Sequence, residues 1–86
     1  MTTPTIGETF TVILDSNLVL SLYVDDTRKG KVDEVLVQPI RKGKVLPEKA
    51  WMPMSGMTRR GKSKYGVLYE LSSNNPATTF IARHAH

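Results

Sequence analysis

The residues of this chain best suited to chemistry are cationic, and they recur as one tetrapeptide: Arg28-Lys29-Gly30-Lys31, Arg41-Lys42-Gly43-Lys44 and Arg59-Arg60-Gly61-Lys62. These three segments hold nine of the twelve Lys and Arg residues, so the rest of the sequence carries three cations against all eight carboxylates. Glycine in the third place of each permits φ > 0, which lets a tight turn close while long cationic side chains project from its tip. Flexible cations at narrow tips suit a phosphate backbone, because each contact releases condensed counterions. Lys and Gly also keep strand edges soluble, and a single basic turn needs no other explanation. Three such turns in a chain of 86 residues shift the expectation to a polyanion ligand, with nucleic acid foremost.

The third tetrapeptide has the richest surroundings, Ser55-Gly56-Met57-Thr58-Arg59-Arg60-Gly61-Lys62-Ser63-Lys64-Tyr65. This stretch is similar to the basic wing carried by small single-stranded-DNA-binding proteins of phages and by OB-fold domains, where a polar basic hairpin ends in Gly-Lys ahead of an aromatic residue that opens a strand. In those families the wing commonly lies early in the fold, and here it lies late. The resemblance implies that Arg59, Arg60, Lys62 and Lys64 meet phosphates and that Tyr65 or Tyr69 offers a stacking face, worth roughly 1–3 kcal/mol per base. The expected nucleic-acid-binding residues are therefore Arg28, Lys29, Lys31, Arg41, Lys42, Lys44, Arg59, Arg60, Lys62, Lys64, Tyr65 and Tyr69, and the expected ligand is single-stranded DNA or RNA.

Catalysis needs convergent groups, and the sequence supplies few. Asp25-Asp26 and Asp33-Glu34 are adjacent pairs, but neighbours on a strand point to opposite faces and make no carboxylate dyad or metal clamp. His84 and His86 could share one side of an extended tail, yet a catalytic zinc site wants a third ligand in a fixed frame. No cysteine is present, which removes thiol chemistry and suits a reducing compartment. No nucleotide-binding glycine loop or Ser-His-Asp set appears. The expectation is a protein that is not an enzyme and holds no cofactor and no metal.

The elements that must position the cations read as short strands. Glu8 to Asp15 alternates with Phe10, Val12 and Leu14 on one face. Asp15-Ser16-Asn17 supplies turn chemistry, and Leu18 to Val24 alternates again, so the two predict a hairpin. Val32 to Gln38 is rich in β-branched residues and is expected to end at Pro39, which donates nothing to a ladder. Pro47 and Pro53 interrupt the segment Val45–Met54, where Glu48 to Trp51 suits a single helical turn. Tyr65 to Leu71 alternates, with Tyr65, Val67, Tyr69 and Leu71 on one face. Ser72 to Pro76 is a turn cluster, and Thr78 to Arg83 predicts a last strand by propensity. Five or six such strands with turns every eight to thirteen residues predict an all-β fold, a small barrel or strongly bent antiparallel sheet of the OB or SH3 kind.

Length predicts a single domain over residues 1–86, because a chain this short cannot divide its core. No apolar run reaches the roughly 18 residues of a membrane span and the start lacks a signal peptide's pattern, so the expected place is the cytoplasm, away from membranes. A homodimer through a strand edge is a further expectation for so small a core. The competing functional reading is a small structural or inhibitory module, for instance one associated with a viral capsid. It would dock on a protein partner through sheet edges and the segment holding Trp51, Met52, Met54 and Met57.

Overall fold

A computed structural model describes residues 3–15 and 17–85. Seven strands and one helix follow in order: β1 (Thr9–Leu14), β2 (Leu18–Arg28), β3 (Glu34–Arg41), β4 (Lys44–Val45), β5 (Ala50–Pro53), β6 (Met57–Ser63), β7 (Gly66–Leu71) and α1 (Thr78–His84). The small all-β class holds. The strands form one sheet in the order β4-β3-β2-β1-β7-β6, with β5 also on the outer side of β3. Its hairpins are antiparallel, but β1 and β7 run parallel, pairing Thr11 with Leu68 and Val12 with Tyr69, so the sheet is mixed and not purely antiparallel.

Period-2 burial builds the interior. Phe10, Val12 and Leu14 of β1 stand beside Leu22, Leu20 and Leu18 of β2, and the inward set continues through Val35, Val37 and Met52 on one side and Tyr69 and Leu71 on the other. Only three residues, 54–56, join β5 at one border of the sheet to β6 at the other. Four backbone steps reach at most about 14 Å, so the two borders must come together and the sheet must curl around its own core. Met54 N donates to Asp33 O at one border and Ser72 N donates to Gly56 O at the other. No ladder joins β5 to β6, so the curl stops short of a closed barrel.

Three local features depart from the sequence reading. β2 runs on to Arg28 through a bulge between Val24 and Asp26. The extra residue breaks the alternation there, which is why the charged stretch resembled a turn. β3 passes straight through the buried Pro39. The Pro39 carbonyl faces the Leu46 amide, so its missing donor faces the same side, between the stretches paired with β5 and β4, and the ladder to β2 is intact. Of the expected helical turn at 48–51, Ala50 and Trp51 instead open β5.

The expected last strand is the helix α1. Asn75 organises its start, accepting from the Ala77 amide through Oδ1 and from the Thr78 amide and hydroxyl through its backbone carbonyl. Ala77 and Ile81, one turn apart, are buried in the core with Phe80 packed against them. Seven residues are too few to display a helical period, and Thr78, Thr79 and Ile81 have strand propensity, so tertiary packing decides the outcome.

Candidate nucleic-acid interface

The three basic segments take three different conformations. Lys42-Gly43 makes the tight β3–β4 turn, with φ of +53° and +77° as a type I′ hairpin requires. Residues 29–33 form an open bend between β2 and β3 in which Gly30 needs no positive φ. Arg59 to Lys62 is not a turn at all but lies within β6, where Gly61 at φ +152° accommodates a bulge at Arg60 and the true turn is Lys64-Tyr65. Glycine after two cations thus signals a backbone irregularity without fixing its type. β3 separates the first bend from the Lys42-Gly43 turn by its full length of eight residues, about 24 Å, so those two segments do not serve one small site.

Several cations are already matched. Arg28 pairs with Glu34 at 2.7 Å, Lys29 with Asp33 at 3.2 Å, Lys49 with Asp25 at 3.0 Å and Arg60 with Glu70 at 2.7 Å. Each is solvent-exposed enough that its contribution to stability is small. Among the described residues Lys31, Lys42, Lys44, Arg59, Lys62 and Lys64 make no ion pair. The β6–β7 hairpin therefore carries the densest uncompensated charge, in Arg59, Lys62 and Lys64.

Curling of the sheet gives Arg59 a neighbour that spacing alone does not reveal. A groove of about 630 Å³ opens between segment 3–8 and the β6–β7 hairpin, with Arg59 on its lip and Phe10, Val67 and Tyr69 beneath. A second, of about 400 Å³, has Lys31 on its lip, with Met54 and Met57 beside it. Thr3 and Tyr69 line both. Lys31 and Arg59, from separate basic segments, thus flank adjoining clefts where the sheet fails to close.

The two sequence-expected aromatics differ in what they present. Tyr69 is only 5% exposed, its ring edge-on to Phe10 at 5.7 Å, so it shows the clefts a border and not a stacking face. Tyr65 is half-buried in the hairpin turn, with the Lys64 ammonium 5.8 Å from its ring centroid. Hydroxyls hold this turn to the sheet: Thr9 Oγ1 donates to Tyr65 O at 2.6 Å, Tyr65 N donates to Ser63 Oγ, and Ser63 Oγ meets the buried Thr11 Oγ1 at 2.6 Å. The threonines and serines that alternate with the core residues are what fasten the wing in place.

Two carboxylates fasten the segment that forms the other wall. Glu8 lies below its ordinary value because the Thr5 amide, and then the Thr5 hydroxyl, donate to it at 2.6 and 2.8 Å. Asp33 is lowered first by the Lys29 ammonium and then by the Thr3 hydroxyl. A lowered value means that the fold favours the charged form. The tethering is therefore complete above the ordinary values of 4.5 and 3.8 and is lost as pH falls through the lowered ones. In an amide-resolved NMR titration the Thr5 signal should move with a midpoint below 4.5, and Glu8→Gln should abolish that step; a midpoint at or above 4.5 contradicts the tether.

His84, in the last turn of α1, packs its ring 4.9 Å from Phe80, and His86 lies outside the described residues. Among the described residues no three acidic, histidine or cysteine side chains gather as a metal site, and no helix is long and apolar enough to cross a membrane. Compared with protein-family models, characterised proteins and solved structures, the chain matches none of them.

Proposed function

We propose that this protein is a non-enzymatic nucleic-acid-binding module that holds a single strand along its β6–β7 hairpin and the unclosed border of its sheet. The observation carrying this reading is the set of unpaired cations there: Arg59 lines one cleft, Lys31 lines the adjoining one, and Lys62 and Lys64 follow Arg59 along the same hairpin. A recognition helix for the major groove is missing from the described elements, since α1 has seven residues and spends its apolar face on the core.

About four phosphate contacts to a single strand give a logarithmic salt slope near −3, so affinity for a short labelled oligothymidine should fall about 50-fold between roughly 50 and 200 mM salt. Fluorescence polarisation measures this directly. Replacing Arg59, Lys62 and Lys64 together with alanine should flatten the slope to about −1, whereas Arg28→Ala and Arg60→Ala should change it little because both cations already face carboxylates. Failure to bind any oligonucleotide at low salt removes the proposal.

A further inference from the structure

The face of the sheet opposite the core carries a second set of aromatic and planar groups. The residues that alternate with the buried ones fall into register across it: Thr9 beside Tyr23, Tyr23 beside Gln38, and Leu36 beside Trp51. Tyr23, Leu36, Gln38 and Trp51 are all half-buried, and α1 packs on the other side with the core. The end of β6 covers this face at the buried Thr11, where the Ser63 and Thr11 hydroxyls meet, whereas Tyr23 and Trp51 stay partly exposed. Tyr23 and Trp51 lie two strand spacings and one side-chain step apart, roughly 12 Å. The Arg28 guanidinium stacks 4.1 Å over the Trp51 ring and extends it by a second planar surface. Between the two aromatics, Gln38 donates through Nε2 to Leu46 O and leaves Oε1 as an acceptor. The Tyr65 turn is anchored to the start of β1, on the same face, through Thr9 Oγ1.

We infer that this partly exposed face is the base-contacting surface for the strand whose phosphates the hairpin cations hold, with Tyr23 and the Trp51–Arg28 stack as its platforms. This rests on the nucleic-acid reading given above. Charge and chemistry select the occupant. Stacked rings and a guanidinium plane accept flat π surfaces of any base, which suits a strand bound without sequence preference. Asp26, which accepts from the Thr27 amide, is left as an unpaired carboxylate on this face.

Trp51 is the single tryptophan, so its emission reports on this face alone. The experiment titrates the full chain with oligothymidine and, separately, with inorganic polyphosphate, recording polarisation or competition together with Trp51 fluorescence. The expected result is that oligothymidine quenches Trp51, that polyphosphate competes for the cations without quenching, and that Tyr23→Ala weakens oligothymidine binding at least about fivefold with the salt slope unchanged. Binding with no change in Trp51 emission and none in Tyr23→Ala overturns the platform and leaves the hairpin interface standing. No binding at low salt removes the nucleic-acid reading itself. A dimer in light scattering that persists in high salt and dissociates in Tyr23→Ala also overturns the inference, since the face is then covered by a second copy.

Discussion

Gly66→Ala should destabilise the protein by about 4 kcal/mol, because two independent penalties meet at one atom. Gly66 opens β7 at φ +115°, a conformation that costs an L residue about 1–3 kcal/mol. A Cβ there would also overlap the Thr9 carbonyl oxygen, which is backbone, and Thr9 is held in register opposite Tyr23. Relieving that overlap means prising β7 from β1, with overpacking costs of about 1–3 kcal/mol. Gly43→Ala provides the internal comparison: its φ is +77°, but nothing lies within 4 Å, so only the conformational cost of about 1–2 kcal/mol remains. Urea denaturation of both variants separates the two terms, and equal losses would mean that the close approach at Thr9 contributes nothing. The Thr9–Tyr65 hydrogen bond lies directly beside this contact, so Gly66→Ala should also loosen the hairpin that carries Lys62 and Lys64.

Asn75→Ala should cost about 3 kcal/mol and lower the melting temperature by roughly 15 °C. Asn75 is 6% exposed, and its amide donates to Pro53 O at 2.8 Å and to Ser55 O at 3.3 Å while its Oδ1 accepts from the Ala77 amide at 2.9 Å. Alanine strands buried carbonyls and an amide, each at a cost of about 1–3 kcal/mol before any relaxation. Asn75→Asp is the sharper variant. It keeps the acceptor for Ala77 but turns a carboxylate toward two carbonyl oxygens, so it should be no more stable than the alanine variant above about pH 6. Thermal melts of the two would contradict this role if Asn75→Asp retained wild-type stability. The side chain clamps the crossover 54–56 to the start of α1, and with it the spacing between the sheet borders where Lys31 and Arg59 sit.

The strands were legible wherever alternation alone fixed them: Phe10-Val12-Leu14, Leu18-Leu20-Leu22-Val24 and Val67-Tyr69-Leu71 each bury the face their spacing predicts. What could not be read was set by partners distant in sequence. The helix at 78–84 depends on the core it covers, and β5 exists because Trp51 and Met52 find Leu36 and Val35. The site divides in the same way. The cations were visible as residues, and the end-to-end separation of residues 28–31 from 41–44 follows from strand order. That Arg28, Lys29 and Arg60 are matched by Glu34, Asp33 and Glu70 depends on registers that composition does not encode. Alternation stops at Val24 in the sequence because the bulge at Val24/Asp26 hides four further residues of β2.

The parallel ladder between β1 and β7 has a consequence for how the chain reaches this state. Partners across it, such as Thr11 and Leu68, are 57 positions apart, so a ribosome must release most of the polypeptide before β1 can acquire its second partner. Until then one flank of β1 lacks its partner, an unsatisfied edge of the kind that templates pairing with other chains. Loop closure over that distance places the protein among slow folders, on the millisecond-to-second scale, and makes the last ladder the step that ends its exposure to aggregation.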